Sequence, residues 1–237
     1  MSSADPLLRA FDNFEDMIRA LADLAAMRLE DGIAARGRAS LVASGGTTPG
    51  PLYDALSQRA LPWDKVAVTL SDERWVPPDD PRSNEKLLRD RLLRGKAATA
   101  HLVPLKTASA TPDDGAAASD AAIAAMPRPF DLTLLGMGDD GHTASLFPHA
   151  PGLDAALDVT APALVRAVHA PDVPPVGERM TLTLRALLES RLIVVLVRGP
   201  EKRAAYEKAR AGTDVHAAPV RAILNQRTAP VQVFWSP

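Results

Sequence analysis

The sequence predicts an α/β protein built on an open, mostly parallel sheet with flanking helices, and three observations carry that prediction. Short apolar runs such as Val66-Ala-Val-Thr-Leu70 are hydrophobic on both faces, as strands covered by helices must be. These runs alternate with segments of helical apolar spacing, which calls for right-handed crossover connections. Polar motifs follow three of the runs at once, the arrangement expected where ligands gather outside the carboxyl ends of parallel strands.

Over 14–35, apolar and alanine positions recur at helical spacing, with Asp12 and Glu15 in a capping-box pattern before them and Gly37 and Arg38 at the end. Residues 39–43 read as a strand running into Ser44-Gly-Gly-Thr-Thr-Pro-Gly50, and helical spacing resumes over 52–60. The strand at 66–70 delivers Ser71-Asp-Glu-Arg-Trp75 at its carboxyl end, and the proline-rich 76–82 is rigid loop. Next come a helix over 84–94, a short strand over 101–105, a polar linker over 107–115 and an alanine-rich helix over 116–126. Residues 131–135 form the clearest central strand, followed by the loop 136–148 with a helix start at Thr143. Strands are expected at 164–169, 192–197 and 231–235, and a helix or strand–helix transition over 180–188. Helices are expected over 201–210 and near 220–224. No fixed-period repeat or long Gly, Ser or Pro stretch divides the chain, so residues 1–237 are expected to form a single domain.

Composition excludes several classes of function. Lys and Arg total 27 against 29 Asp and Glu, so no basic footprint for nucleic acid is present, and 46% hydrophobic residues argue against disorder. The absence of cysteine removes thiolate nucleophiles, cysteine-ligated zinc and iron–sulfur clusters together. The five histidines, at 101, 142, 149, 169 and 216, form no zinc-binding pair, so no metal or other cofactor is expected. The acidic start of the chain lacks the basic and apolar regions of a secretory signal. The longest strongly hydrophobic run, 192–197, falls far short of the roughly 20 residues of a membrane helix. A cytoplasmic protein is expected.

The candidate chemistry is that of a small phosphorylated substrate. Gly45, Gly46 and Thr47 lie between a strand and a helix, where glycine backbone, hydroxyls and free N–H groups cradle a phosphate or simply make a turn. Arg74 offers a bidentate grip on an anion, or an internal ion pair with Asp72 or Glu73. His142 sits in a glycine-rich loop at a strand end and is the one evident proton-transfer residue, with Asp139 and Asp140 able to orient its ring or cap a helix. Arg179 follows the proline-rich Pro174-Pro-Val-Gly-Glu178. Lys202 opens a helix, where a cation opposes the dipole unless an anion is bound there. Ser145 lacks a nucleophile elbow, so an attacking water suits the site better than an enzyme nucleophile.

Taken together, Ser44-Gly-Gly-Thr-Thr-Pro-Gly50, Ser71-Asp-Glu-Arg-Trp-Val76, Ser83-Asn84, Leu135-Gly-Met-Gly-Asp-Asp-Gly-His-Thr-Ala-Ser-Leu-Phe-Pro148, Glu178-Arg-Met-Thr-Leu-Thr183 and the turn from Gly199 to Lys202 resemble the 6-phosphogluconolactonases over nearly the whole chain. The resemblance implies a Rossmann-like open sheet with additional elements and hydrolysis of 6-phospho-D-glucono-1,5-lactone without a cofactor. It implies a catalytic His142 with Asp140 beside it, and Gly45, Gly46, Thr47, Arg74, Asn84, Arg179 and Lys202 holding the substrate. The partner it implies is a small phosphorylated sugar lactone; from composition neither nucleic acid nor membrane is expected as a partner, and a monomer is expected. The alternatives are a glucosamine-6-phosphate deaminase-like isomerase and a noncatalytic sugar-phosphate-binding protein. The first is disfavoured because Thr143-Ala-Ser-Leu-Phe-Pro148 stands where deaminases carry Ala-Phe-Asn-Glu-Pro, and the second because His142 is present.

Overall fold

The computed structural model describes residues 5–170 and 176–237. In chain order its strands are β1 (Leu8–Ala10), β2 (Ala39–Ala43), β3 (Val66–Leu70), β4 (Asp72–Arg74), β5 (His101–Leu102), β6 (Leu132–Gly136), β7 (Val165–His169), β8 (Glu178–Leu182), β9 (Ile193–Arg198) and β10 (Val231–Ser236). Its helices are α1 (Phe14–Arg36), α2 (Gly50–Ser57), α3 (Asn84–Arg91), α4 (Pro112–Ala124), α5 (Leu153–Leu157), α6 (Leu184–Leu188), α7 (Pro200–Ala211) and α8 (Arg221–Leu224).

Seven strands pair in the order β1-β10-β9-β6-β2-β3-β5, every neighbour parallel. All five residues of β2 are buried, which is why its sequence is apolar without alternation. The chain builds outward from β2 through β3 to β5, then returns to lay β6 on the other side of β2 and builds outward again through β9 and β10. The reversal opens a crevice at the carboxyl ends of β2 and β6, the place where open α/β sheets bind ligands. A second, antiparallel sheet in the order β4-β8-β7 packs beside it. Among the described residues, no helix is long and apolar enough to cross a membrane.

Helix α1 buries Met17, Leu21, Ala25 and Leu29, one face at helical spacing. Its cap lies one residue beyond the expected pair: Asn13 accepts from the Asp16 N–H at 2.9 Å and donates to the Asp16 carboxylate at 2.8 Å. Helix α4 begins at Pro112 rather than 116, because Thr111 caps the Asp114 N–H and acidic side chains suit a first turn. The expected strand over 101–105 pairs with β3 only at His101 and Leu102, before Pro104, which has no N–H to continue a ladder. The 180–188 segment is a strand–helix transition, β8 followed by α6 with Thr183 as its cap. No helix starts at Thr143: a bridge pairs Thr143 with Leu146, and Ala144 between them has φ 50°. Strands β1 and β4 and helix α5, of three to five residues each, were not expected.

Candidate active site

The loops after β2 and β6 face one another across a cavity of about 580 Å³, which β4, β8 and the β9–α7 turn complete. A second hollow of about 600 Å³ lies at the opposite, amino ends of β2 and β3, where Arg38, Asp64, Lys65 and His101 stand among apolar side chains. Position at the carboxyl ends of the parallel strands therefore separates two spaces of nearly equal size.

The β2 loop approaches α3 so closely that a side chain at position 45 would collide with Asn84: an added Cβ would lie 2.1 Å from its Oδ1. Gly45 is required by that contact. Asn84 is buried and donates from Nδ2 to the Asp72 carbonyl at 2.9 Å. Gly46 and Thr47 line the cavity, and the backbone N–H groups of Gly46, Thr47 and Thr48 donate to no acceptor among the described residues. The α2 start itself contributes less than expected, because Pro49 and Pro51 have no N–H and that of Gly50 bonds the Thr47 carbonyl. Any anion here meets the loop rather than the helix end.

The antiparallel sheet supplies two guanidinium groups. Arg74 and Arg179 are directly paired across β4 and β8. Arg74 makes neither of the expected ion pairs; it donates from Nη1 to the Arg82 carbonyl at 2.7 Å, and its buried Nε has no partner. Arg179 is 4% exposed and donates from Nε to the Val176 carbonyl at 2.9 Å, with no carboxylate within salt-bridge distance among the described residues. Burial pulls its pKa down, and the charge of Arg74 adds to that while Asp72 and Glu73 oppose it. A buried cation beside a half-buried one makes a site for an anion. Of the proline-rich approach to Arg179, positions 174 and 175 lie outside the described residues.

The neighbouring carboxylates hold the frame. Glu73 is buried and accepts the N–H groups of Arg74, Asn84 and Glu85, each at 2.7 Å, and the Ser83 hydroxyl at 2.9 Å, so it ties β4 to the start of α3. Burial outweighs those bonds and raises its pKa. Asp72, which lines the cavity, accepts the Ser71 hydroxyl at 3.0 Å and the Ser145 hydroxyl at 2.6 Å. The Ser145 proton is thus committed to Asp72, which agrees with the absence of a nucleophile elbow.

The β6 loop presents His142 to the cavity with its ring about one-third exposed. Its Nδ1 lies 2.7 Å from Asp140 Oδ1, and the same oxygen accepts the His142 backbone N–H at 3.0 Å. Burial raises the Asp140 pKa, but the His142 N–H and imidazole outweigh it and leave the carboxyl below its ordinary value. An ionised Asp140 fixes the proton on Nδ1 and leaves Nε2 as the basic nitrogen. The ring occupies space open only because residue 138 is glycine: a Cβ there would lie 2.1 Å from Nδ1.

Lys202 reaches from the first turn of α7 to the Met137 carbonyl at 2.9 Å and Asp139 at 3.0 Å. Asp139 is therefore an anion that already offsets the dipole mismatch. Eight of the nine candidate residues line the cavity, and the ninth, Asp140, stands behind His142. Sequence reasoning passed over Arg198, which also lines the cavity at the carboxyl end of β9 with its guanidinium 3.9 Å over the Phe14 ring. Its place at a strand end is the signal that would have found it.

The family of glucosamine-6-phosphate isomerases/6-phosphogluconolactonase matches residues 12–235. The chain belongs to that family. Among its relatives, the 6-phosphogluconolactonase of Rhizobium meliloti is 42% identical over 97% of this chain and 98% of its own length. That of Caulobacter vibrioides is 44% identical over 97% of each chain. The crystal structure of a 6-phosphogluconolactonase from Shewanella baltica superposes with a TM-score of 0.95 at 41% identity, covering 99% of both chains.

Proposed function

We infer that the protein is a 6-phosphogluconolactonase, hydrolysing 6-phosphogluconolactone to 6-phosphogluconate in the pentose phosphate pathway. The observation that carries the chemistry is a histidine with Nδ1 held by a carboxylate, facing a cavity that also contains Arg74, Arg179 and Lys202. The relatives that match over nearly their full length and bear this name support the same reading.

In the mechanism we assign, the loop N–H groups of Gly46 and Thr47, with Arg and Lys side chains, hold the phosphate and place the lactone carbonyl near His142. Gly45 and Asn84 set the loop's distance from α3. His142 Nε2 takes a proton from water as the water oxygen bonds to lactone C1, and the carbonyl electrons move onto its oxygen. A cation of the Arg74–Arg179 pair stabilises that oxyanion. When the intermediate collapses, the bond from C1 to the ring oxygen breaks and the imidazolium returns its proton to that oxygen. Water is added across one bond, and no enzyme–substrate bond forms. Asp140 stabilises the imidazolium while it exists.

The test is hydrolysis of freshly generated 6-phosphogluconolactone, corrected for its spontaneous hydrolysis, beside gluconolactone lacking the phosphate and glucosamine 6-phosphate. Much lower kcat/KM for the unphosphorylated lactone and no release of ammonia are expected, since binding energy from the phosphate orients the reacting centre. Equal efficiency on the two lactones would refute the phosphate assignment. Dialysis against a chelator is expected to leave the rate intact, because the described residues contain no group of three metal-ligating side chains.

A further inference from the structure

We propose that Phe147 is a positioning residue whose ring holds two cationic members of the site at once, the Arg179 guanidinium and the protonated ring of His142. The proposal rests on the reading of His142 as base and Arg179 as anion holder. Phe147 is 5% exposed yet stands outside the main core, in a small separate cluster with Val168 and Ala170. Its ring centroid lies 4.9 Å from that of His142 at an interplanar angle of 49°, and 5.2 Å from Arg179 Cζ. One ring therefore touches functional side chains from the β6 loop and from β8.

The physical reason for an aromatic at this position is charge. Arg179 is buried without a carboxylate partner among the described residues, and on the proposed mechanism each turnover adds a further positive charge at His142 beside it. Two cations in one half-dry space repel unless something between or beside them carries compensating negative potential. The faces of a benzene ring do so without adding a formal charge that would repel the substrate phosphate.

The experiment replaces Phe147 in the full chain with phenylalanine analogues bearing one, three and five ring fluorines, which drain the ring's π density at nearly constant shape. Stepwise loss of kcat/KM on 6-phosphogluconolactone is expected, reaching ~3- to 30-fold across the series, with an unchanged melting temperature. Phe147→Leu is expected to match the most fluorinated form. A flat series, or a loss that follows melting temperature, overturns the proposal and leaves Phe147 as packing. If the wild-type chain itself fails to hydrolyse the lactone, the functional reading falls instead. The series is then read by calorimetric binding of 6-phosphogluconate, where stepwise weakening supports the Arg179 contact and a flat series overturns it.

Discussion

Replacing Asp140 with asparagine separates two things that a carboxylate does for a histidine: choosing its tautomer and offsetting its charge. In most such pairs an amide risks turning its NH₂ toward the ring and reversing the tautomer. Here one oxygen, Oδ1, accepts both the Nδ1 proton at 2.7 Å and the backbone N–H of His142 at 3.0 Å. The backbone donor cannot reverse, so the asparagine keeps its oxygen where Oδ1 stands and the tautomer survives. What disappears is the negative charge. Two unit charges about 4 Å apart interact by roughly 1 kcal/mol in water and about 4 kcal/mol at an effective dielectric constant of 20. Asp140 is about half exposed, with its side chain at 52%, which places the loss between those limits. Asp140→Asn is therefore expected to lower kcat by ~5- to 150-fold, at about 1.4 kcal/mol per decade, with product affinity unchanged. Asp140→Ala removes both bonds as well and is expected to lose more. The assay is turnover per folded molecule, with folding verified by urea unfolding. An asparagine variant as slow as alanine would refute the single-oxygen argument, and one as fast as wild type would show that the imidazolium needs no compensating charge.

Three further outcomes follow from the same geometry. Gly138→Ala places a Cβ where the His142 ring now sits, so turnover is expected to fall by ~10²-fold or more in a folded protein, while unchanged turnover would mean that the ring position is not catalytic. Glu73→Gln leaves one acceptor oxygen for three N–H groups; with the Ser83 hydroxyl turned to accept, one N–H remains orphaned at a cost of about 1–3 kcal/mol, measured as a lower urea midpoint at constant m. His169 bridges Asp113 and Glu178, each at 2.8 Å, and chiefly the Glu178 bond raises its pKa. A raised folded pKa gives stabilisation that is complete below the unfolded value and vanishes as pH rises through the folded one, so the deficit of His169→Gln is expected near pH 6 and absent by about pH 9. These half-exposed pairs limit it to a few tenths of a kcal/mol, and a deficit growing with pH would refute the assignment.

The sheet was legible because covered strands leave an unmistakable pattern, runs such as 39–43 and 193–197 with no polar face. The residues of the crevice were legible for a related reason: in this topology a polar motif directly after a buried strand has few places to go. What escaped notice was short or depended on distant partners. Strand β4 is three residues long and pairs with β8, so the motif from Asp72 to Arg74 read only as the carboxyl end of the strand before it. The role of Glu73 depends on Ser83, Asn84 and Glu85, brought back by a loop whose path no local pattern specifies. The helix start at Thr143 failed because capping residues are equally at home in turns, and a tertiary bond from Ser145 to Asp72 decides between the two. Lys202 was read through the helix dipole alone, and its local anion, Asp139, went unconnected to it across 63 residues of chain.

The groups around the cavity belong to two sheets with different neighbours. His142 and Lys202 ride on the strand ends of the parallel sheet, whereas Arg74 and Arg179 ride on the small antiparallel one. Alignment between His142 and the paired guanidiniums is thus a property of how one sheet seats on the other, and no single loop owns it. For an engineer this sets a constraint: a change that reseats β4 and β8 is expected to move both guanidiniums together relative to His142, with neither set altered within itself.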